Sequence, residues 1–453
     1  MLKRILIANR GEIAARILRT CRHLGIETVL AASEADMDSV PARLADRVIC
    51  IGPAPAAGSY LNVDSVLAAA RQCGAQAIHP GYGFLSENSR LARACAAQGI
   101  IFIGPGAEQL AAVGDKLSAR EHAVAAGVPV VPGGAVQSIE EARSRVQAIG
   151  YPVLIKAVGG GGGRGMKPVH DAATLEDALQ LGAAEAHAAF ADARMYLERF
   201  ISGGRHIEVQ ILGDGADVIH FGTRDCSIQR RFQKLVEEAP APYLSAALRA
   251  RLHDAAVAFA RHLHYRGLGT VEFLVDEQEN FHFLEMNARI QVEHPVTEAI
   301  CGVDLVAEQI AIAEGRPLRL RQEEIVFSGH AVECRINAED WKQDFRPSPG
   351  TLEQVEFPVG AGIRVDTHVQ RGAHVPPHYD SLLAKLIVHG SDRGDALRRL
   401  HSALDRCAIR GVESNLGMHR ALLGAGDFHH GGVHTGWLPA FLERHAAEGG
   451  AHG

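Results

Sequence analysis

The chain has 453 residues, of which 47% are hydrophobic and 22% charged, a composition typical of a soluble globular protein. At roughly 150 residues per domain, this length predicts about three domains, each able to bury a core without disulfides or structural metals. The net charge of −7 and the lack of a basic run argue against broad nucleic-acid binding. No apolar run approaches the ~18 residues of a membrane span, and the eight cysteines show neither zinc-site spacing nor a disulfide framework. We therefore expect a cytoplasmic protein with no membrane and no nucleic-acid partner.

The first hundred residues alternate apolar strand-like segments with amphipathic helical patterns. The strand-like segments are 5–8, 28–32, 77–79 and 100–103. Alternation of this kind predicts a parallel sheet in an α/β domain. The first strand-to-helix turn, Asn9-Arg10-Gly11-Glu12, lacks the glycine spacing of a dinucleotide site, so we expect a nucleotide to bind elsewhere.

Five consecutive glycines follow a strand predicted over residues 152–158. The glycine-rich stretch covers 159–165, and residues 168–169 continue as a second strand, which predicts a glycine hairpin. Such a run costs backbone entropy, and that cost is expected where main-chain N–H groups gather around anionic oxygens. Lys156 and Arg164 add positive charge, so the predicted ligand is a polyphosphate. The alternative is a flexible surface loop with a solvated lysine.

Lys116 is a second candidate for holding an anion. It follows Gly114-Asp115 at the start of a helical pattern, where a cation is unfavourable against the helix dipole unless it binds an anion. An exposed lysine explains this position equally well.

A hairpin is predicted from two strand-like segments, 270–276 and 280–287, joined by a short polar turn. If its register pairs Val275 with His282, two glutamates of the hairpin face each other directly.

The two opposed glutamates are Glu272 and Glu285. Bare carboxylates ~5 Å apart repel by about 3 kcal/mol at an effective dielectric near 20. A cation removes this conflict, and the amide of Asn287 completes an all-oxygen ligand set suited to Mg²⁺ bridged to phosphates. A slip in register would instead leave two ordinary surface acids.

A polar alternation continues beyond this strand, with Arg289, Gln291 and Glu293 on odd positions and apolar residues between them. We expect the chain to stay extended here, so that all three face the metal side. An acid beside a guanidinium and an amide could bind a small planar anion and act as a base. The alternative is a half-buried strand with a polar outer face.

Long motifs in a fixed order resemble the biotin carboxylases of the ATP-grasp superfamily, and they cover nearly the whole chain. The motifs are Ile7-Ala-Asn-Arg-Gly-Glu-Ile13, His79-Pro-Gly-Tyr-Gly-Phe-Leu-Ser-Glu-Asn88, residues 159–165, Arg224-Asp-Cys-Ser-Ile-Gln-Arg-Arg231, Lys234-Leu-Val-Glu-Glu-Ala-Pro-Ala-Pro242, Glu285-Met-Asn-Ala-Arg-Ile-Gln-Val-Glu-His-Pro295 and Glu333-Cys-Arg-Ile-Asn-Ala-Glu339. Related ATP-grasp ligases share the metal strand and lid but lack the Arg-Ile-Gln-Val-Glu-His run.

The resemblance implies an α/β fold of three domains. An N-terminal parallel-sheet (pre-ATP-grasp), Rossmann-like domain would cover 1–114. An ATP-grasp domain would cover 115–320, with a glycine-rich lid at about 131–202. A C-terminal mixed α+β biotin carboxylase domain would cover 321–446, followed by a flexible tail, 447–453.

The resemblance also implies the roles of the site residues. The nucleotide contacts would be Lys116, Lys156, Gly161, Gly162, Gly163, Glu198, Arg199, Ile201, His206, Gln229, Glu272 and Glu285. The ligands of Mg²⁺ or Mn²⁺ would be Glu272, Glu285 and Asn287. The bicarbonate contacts would be Lys234, Arg289, Gln291 and the backbone at Val292, with Glu293 as the base. Arg335 would stabilise the biotin enolate, and Tyr82 would help form the biotin pocket.

The implied reaction is ATP- and bicarbonate-dependent carboxylation of biotin through carboxyphosphate. The chain has no Met-Lys-Met biotin-attachment signature. We therefore expect biotin on a separate carrier, the biotin carboxyl carrier protein, and a separate carboxyltransferase subunit. Such a system would resemble acetyl-CoA carboxylase of fatty acid biosynthesis, although the acceptor could equally be another acyl-CoA or a urea-like compound. Relatives are often dimers, so a homodimer is expected.

Two other functions fit parts of the pattern. An ATP-grasp ligase joining a carboxylate to an amine through an acyl phosphate would use the same metal and lid. A noncatalytic nucleotide-binding partner would be expected to lack Glu285 or Lys234, and both are present. Phe232 departs from the polar residue common in relatives, and Arg199 replaces a frequent lysine, so a nucleotide contact is expected to differ.

Overall fold

Three large β-sheets organise the structure. The computed structural model describes residues 1–158, 166–190, 193–431 and 433–450. Within these residues the sheets have five, four and eight strands, and three further two-stranded sheets accompany them. Short 3-10 helices lie at Glu34–Asp36, Ala56–Gly58 and Gln322–Glu324.

The N-terminal sheet is parallel, in the order β3-β2-β1-β4-β5, which confirms the predicted α/β architecture of this segment. Its central strands are apolar on both faces because helices cover both sides of the sheet. The elements are β1 Arg4–Ile7, α1 Gly11–His23, β2 Glu27–Ala32, α2 Val40–Leu44, β3 Arg47–Cys50, α3 Val63–Cys73, β4 Ala77–His79, α4 Ser89–Ala97, β5 Ile101–Phe102 and α5 Ala107–Gly114.

A four-stranded antiparallel sheet, in the order β6-β9-β7-β8, forms a small layer with its own apolar core. Val153 pairs with Val169, which confirms the two strands of the predicted hairpin. The loop between them, 159–165, lies outside the described residues, and with it the predicted contacts Gly161, Gly162 and Gly163. The elements are α6 Lys116–Ala125, β6 Gly133–Val136, α7 Ile139–Ile149, β7 Val153–Ala157, β8 Lys167–Val169, α8 Leu175–Phe190 and β9 Met195–Arg199.

The largest sheet is antiparallel, in the order β14-β13-β10-β11-β12-β15-β22-β20. It crosses position 320, where we predicted a domain boundary, because β12 pairs directly with β15. Its elements before residue 320, with the neighbouring helices, are β10 Arg205–Asp214, β11 Val218–Arg230, β12 Gln233–Ala239, α9 Ala246–His262, β13 Arg266–Val275, β14 Phe281–Asn287, α10 His294–Cys301 and α11 Leu305–Ala313.

The C-terminal segment completes this sheet and packs helices on it. The predicted tail, 447–453, overlaps the end of its last helix. The elements are β15 His330–Asn337, β16 Glu339–Asp340, β17 Arg346–Pro347, β18 Gly350–Thr351, β19 Gln354–Glu356, β20 Ile363–Thr367, β21 His374–Val375, β22 Leu382–Gly390, α12 Arg393–Asp405, β23 Ala408–Arg410, α13 Leu416–Leu423, α14 Gly426–His430 and α15 Trp437–Gly450.

The two faces of the large sheet differ in polarity. On β10, Ile207 and Val209 enter an apolar core that also contains residues of α9, while Glu208 points to the other face. Alternation with a period of two residues therefore puts polar side chains of several strands on one face. All eight cysteines are free, as predicted. Among the described helices, none is long and apolar enough to cross a membrane.

Candidate active site

A cavity of about 810 Å³ lies between the polar face of the large sheet, the four-stranded sheet and the loops after β1 and β4. Every predicted site residue that the structure describes lines this cavity. They are Tyr82, Lys116, Lys156, Glu198, Arg199, Ile201, His206, Gln229, Lys234, Glu272, Glu285, Asn287, Arg289, Gln291, Val292, Glu293 and Arg335.

The hairpin of β13 and β14 places Glu272 directly opposite Glu285, although by a different route from the one we predicted. Val275 pairs with Phe281 and not with His282, so the predicted register is wrong by one residue near the turn. The register then shifts between Phe273 and Glu272, which restores the predicted pairing of the two glutamates.

The cause of this shift is a conflict between two alternating patterns in β14. Phe281 and Phe283 belong to the apolar core below the sheet, although Phe283 also borders the cavity, whereas Glu285 and Asn287, also on odd positions, line the cavity above the sheet. In a regular strand these four odd-numbered residues would all lie on the same face of the sheet. A β-bulge with Leu284 as its extra residue exchanges the faces, because one inserted residue reverses the alternation.

Glu285 is a partly buried carboxylate with no hydrogen bond or ion pair to any other described residue. Burial and the neighbouring Glu272 raise its pKa, while Lys116 opposes the shift. Glu272 behaves differently, because Lys234 and His206 outweigh its burial and lower its pKa. The unpartnered carboxylate faces a paired one, so a cation between them would relieve the repulsion.

Lys234 lies at the centre of three buried carboxylates. Its Nζ donates to Glu208 Oε2 at 2.6 Å, Glu272 Oε1 at 2.8 Å and Glu293 Oε1 at 2.7 Å. Burial lowers the pKa of Lys234, but the three acids raise it well above the ordinary value. The lysine is therefore charged, and two of its three carboxylate partners also pair with an arginine, Glu208 with Arg224 and Glu293 with Arg335.

The segment after β14 differs from the prediction in its backbone. The strand ends at Asn287 and the chain bends, so the expected extended run through Glu293 is wrong. Its polar side chains nevertheless reach the cavity: Gln291 Nε2 donates to Glu272 Oε1 at 2.9 Å, and Arg289 Nη2 donates to Asn287 Oδ1 at 2.6 Å. Bends can present successive side chains to one cavity just as an extended strand can.

Glu293 lies immediately before α10, between two cations. Its Oε1 accepts from Lys234, and its Oε2 accepts from Arg335 Nη2 at 3.0 Å. Burial raises the pKa of Glu293, but Lys234 and Arg335 together hold it below the ordinary value. The carboxylate is thus ionised and able to accept a proton.

Lys116 and Lys156 approach the cavity from its other side. Lys116 is the first residue of α6, and burial lowers its pKa despite the opposing effect of Glu285. Lys156, on β7, forms an ion pair with the buried Glu198 of β9. Two ammonium groups converging on one cavity provide a site for anionic oxygens.

Tyr82 and Arg335 also line the cavity. The Tyr82 hydroxyl donates to Glu12 Oε1 at 2.5 Å, and Lys385 Nζ lies 3.0 Å from Glu12 Oε2. Burial and the Glu12 charge raise the pKa of Tyr82 well above the ordinary value. The tyrosine is therefore neutral, and Glu12 holds its hydroxyl in place.

Comparisons with known proteins agree with this geometry. Family models match residues 1–110 (biotin carboxylase, N-terminal domain), 115–321 (carbamoyl-phosphate synthase L chain, ATP binding domain) and 333–440 (biotin carboxylase C-terminal domain). The biotin carboxylase of Nostoc sp. is 50% identical over 438 residues, 96% of this chain and 98% of the relative. That of Pseudomonas aeruginosa is 50% identical over 97% of this chain and 98% of the relative. The chain belongs to the biotin carboxylase family.

Solved structures of this family share the fold. A biotin carboxylase–β-γ-ATP complex from Campylobacter jejuni has a TM-score of 0.95 and 45% identity, covering 97% of this chain and 99% of the other. The biotin carboxylase domain dimer of 2-oxoglutarate carboxylase from Hydrogenobacter thermophilus, in complex with MgADP, ADP and bicarbonate, has a TM-score of 0.94 and 45% identity, covering 98% and 99%. The predicted family, fold class and enzyme class are confirmed.

Sequence reasoning missed two residues that organise the site of this biotin carboxylase family member. Glu208 pairs across the sheet with Glu272, and Arg224 donates to Glu208, to Gln291 Oε1 at 2.6 Å and to Gln210 Oε1 at 2.7 Å. Arg224 is 0% exposed, so it fixes these side chains from beneath the cavity. The alternation of polar even and apolar odd residues along β10 was a signal that could have revealed Glu208.

Phe232 lies in the two-residue turn between β11 and β12. Arg231 and Phe232 have φ angles of 48° and 66°, as in a type I′ turn, where non-glycine residues are strained. Arg231 is tied to Asp344 at 2.8 Å, and the Phe232 ring, 52% exposed, lines the cavity. This biotin carboxylase family member therefore presents an aromatic surface at a position where we expected a changed nucleotide contact.

Proposed function

We propose that this protein carboxylates biotin on a separate carrier protein, using ATP and bicarbonate. The observation that supports this most strongly is one cavity that joins an acidic pair, two lysines and the chain of contacts Lys234–Glu293–Arg335. Bicarbonate would attack the γ-phosphate of ATP to give ADP and carboxyphosphate. Carboxyphosphate would then release CO₂ and phosphate beside biotin.

Glu272, Glu285 and Asn287 fit Mg²⁺ or Mn²⁺. The carboxylate of Glu285 is unpartnered among the described residues and opposes that of Glu272, and oxygen ligands are those that Mg²⁺ prefers. Asn287 Nδ2 donates to Glu272 Oε1 at 2.8 Å, so its amide would turn over to present its oxygen. A bound cation supplies positive charge beside the phosphate oxygens.

The phosphates would lie between Lys116 and Lys156. Both lysines line the cavity, and Glu198 holds Lys156 in place. The remaining proposed nucleotide contacts are Glu198, Arg199, Ile201, His206 and Gln229. Positioning and charge neutralisation are the main demands of phosphoryl transfer, and these side chains meet both.

Bicarbonate would bind beside Lys234, Arg289, Gln291 and the backbone at Val292, and would give its proton to Glu293. In this structure Lys234 donates to Glu293 at 2.7 Å and holds its pKa down. When Lys234 turns to the substrate anion, burial raises the pKa of Glu293. The same carboxylate then becomes a stronger base at the moment when a proton is available.

Biotin would bind at the end of the cavity formed by Arg335 and Tyr82. The Arg335 guanidinium faces the cavity and would stabilise negative charge on the ureido oxygen as the phosphate removes the ureido proton. The neutral Tyr82 would contribute to the wall of this pocket. Carboxyphosphate would thus form and decompose within one cavity, next to the biotin that accepts its CO₂.

The partners follow from the proposed reaction. A biotin carboxyl carrier protein would deliver biotin, and a carboxyltransferase subunit would use the carboxylated product. We also propose a homodimer, which is supported by the dimer of the Hydrogenobacter thermophilus domain. Light scattering on the purified protein should give twice the 48.5 kDa mass of one chain, and a monomer at micromolar concentration would contradict the dimer.

ADP release by the purified protein tests the proposed function. We expect release to require Mg²⁺ and bicarbonate, to rise on addition of free biotin, and to need no amine. ADP release that requires an amine acceptor and ignores bicarbonate would favour a carboxylate–amine ligase and refute the proposal.

A further inference from the structure

A second pair of opposed glutamates lies in the large sheet, at the junction of β12 and β15. Glu237 is directly opposite Glu333, and both side chains are fully buried. Side chains opposite each other on antiparallel strands have Cβ atoms about 4.5–5.5 Å apart. Like the pair in the metal site, these two carboxyl groups would repel strongly if both were ionised.

Three oxygens of this pair have no hydrogen-bond partner among the described residues. They are Glu237 Oε2, Glu333 Oε1 and Glu333 Oε2. Buried acceptors without a donor are rare because each costs its desolvation free energy. A proton shared between the two carboxyl groups would supply the missing donor and remove the repulsion.

The fourth oxygen holds Arg335. Glu237 Oε1 accepts from Arg335 Nε at 2.6 Å and lies 2.5 Å from Nη2. The backbone of Arg335 is fixed as well, since its carbonyl accepts from Asn415 Nδ2 at 2.9 Å and lies 2.8 Å from His419 Nε2. The guanidinium is therefore bound by two carboxylates, Glu237 and Glu293.

The surrounding charges favour one shared proton. The charged groups that influence the pair are Arg335, Glu293, Lys234 and Lys385. Lys385 Nζ donates to the Val292 carbonyl at 2.8 Å and lies 3.0 Å from Glu12 Oε2, and among the described residues it makes no hydrogen bond to the pair. Burial raises the pKa of Glu237 to about 7 although Arg335 opposes it, and burial with Glu237 raises that of Glu333 well above the ordinary value.

We propose that Glu237 is a positioning residue for Arg335, and that Glu333 carries a proton which it shares with Glu237. The inference rests on the proposed function, in which Arg335 serves the biotin step. Glu293 changes its charge when it takes the bicarbonate proton, which weakens its hold on Arg335. Glu237 keeps the guanidinium in place through that change, and protonated Glu333 prevents a second buried negative charge from drawing Arg335 back into the sheet.

Steady-state kinetics with free biotin test the positioning role. We expect Glu237→Gln to raise the KM for biotin and lower kcat/KM for biotin at least tenfold, while the KM for ATP changes less than twofold. Glu238→Gln is the matched control, because Glu238 is the adjacent buried glutamate of β12 and binds Arg393 at 2.7 and 2.9 Å. The control should lose stability but keep the biotin parameters.

The pH profile and infrared difference spectra test the shared proton. Raising the pH removes this proton and adds a buried negative charge beside Arg335, so wild-type kcat/KM for biotin should fall on the alkaline side. Glu333→Gln keeps a donor toward Glu237 and has no proton to lose, so that fall should move to higher pH or disappear. A carboxylic-acid carbonyl band present at pH 7 in the wild type should lose intensity in Glu333→Gln and keep its full intensity in Glu238→Gln.

Unchanged biotin parameters in Glu237→Gln, or a carboxylic-acid band that loses no intensity in Glu333→Gln, would overturn the inference. The wild-type spectrum needs no variant, and the lack of any carboxylic-acid band at pH 7 would overturn it too. Failure of the proposed function looks different, since the wild type would then show no biotin-stimulated ADP release. The inference fails alone if wild-type release is normal and the variants behave like the control.

Discussion

Glu285 combines a partly buried position, a facing carboxylate and no hydrogen-bond or ion-pair partner among the described residues. Its raised pKa means that the folded state binds the proton of this carboxyl group more tightly than the unfolded chain does, so at neutral pH the ionised group lowers the stability of the metal-free protein. Below the pKa of the unfolded state this penalty is absent. A divalent cation would reverse the penalty at neutral pH.

Replacing Glu285 by glutamine separates stability from catalysis. We expect Glu285→Gln to abolish ATP cleavage while the Tm of the metal-free protein at pH 7 stays equal or rises, because the repulsion with Glu272 is gone. Thermal melts with and without Mg²⁺ and ADP, together with ADP release, provide the measurements. A fully active variant would rule out the metal role of Glu285.

Glu293→Gln removes the proposed base but keeps the shape of the side chain. Bicarbonate-dependent turnover should fall by ~10²-fold or more, as is typical for loss of a general base, whereas nucleotide binding should persist. Titration calorimetry with ADP and a steady-state assay measure the two quantities. Turnover at the wild-type rate would exclude Glu293 from the mechanism.

The pairing of some residues could be predicted from the sequence, and the pairing of others could not. Glu272 and Glu285 lie in consecutive strands of one hairpin, so their pairing could be predicted from the local sequence even though the register near the turn was wrong. Glu237 and Glu333 are almost 100 positions apart, and their pairing depends on β12 meeting β15. Contacts between distant strands leave no local periodic signal, which is why this pair was not predicted.

At the scale of single elements, the N-terminus of α6 decides where Lys116 lies. Asp115 caps this helix, since its Oδ1 accepts from the backbone N–H groups of Leu117 at 2.9 Å and Ser118 at 3.1 Å. Asp115→Ala should lower the free energy of unfolding by about 1 kcal/mol and raise the KM for ATP severalfold, because the first turn that carries Lys116 frays. Ser245→Ala, at the N-cap of α9, should cause a similar loss of stability with no change in that KM. An equal effect of both variants on the KM would contradict the role of α6.

The bulge in β14 shows the limit of reading one strand by itself. The sequence predicts the strand correctly, and it also contains the conflict between the apolar odd positions Phe281 and Phe283 and the polar odd position Glu285. A prediction that assumes one uniform register for the hairpin does not show that conflict. The bulge becomes visible only when the core below and the cavity above are considered together.

At the scale of the whole molecule, ion pairs tie the segments together. Asp366 on β20 receives two hydrogen bonds from Arg364, at 2.7 and 3.0 Å, and lies 3.3 Å from Arg19 of α1. Burial raises the pKa of Asp366, but Lys385 and Arg364 lower it to about 2. A lowered pKa contributes stability above the unfolded value and loses it as the pH falls toward the folded value.

Asp366→Asn should therefore destabilise the protein by about 2 kcal/mol at pH 7. The difference in Tm from the wild type should narrow as the pH falls from about 4 toward 2, where the wild-type carboxylate becomes protonated. Asp405→Asn, at an exposed position on α12, should leave the Tm unchanged across this range. A destabilisation by Asp366→Asn that does not change with pH would show that packing, and not charge, is responsible.

The overall architecture was predictable mainly because long motifs resemble one family. Periodicity alone gave the parallel N-terminal sheet and the two hairpins that carry the lysine and the glutamates. It gave no sign that one eight-stranded sheet joins residues on both sides of position 320. That continuity arises from pairing between β12 and β15, and it brings Lys234 and Arg335 to the same cavity.

Crystals grown with ADP and Mn²⁺ test the central claim most directly. Anomalous scattering should locate the manganese between the carboxylates of Glu272 and Glu285, in contact with the terminal phosphate of the nucleotide. Manganese bound elsewhere, with the two carboxylates pointing apart, would contradict the account.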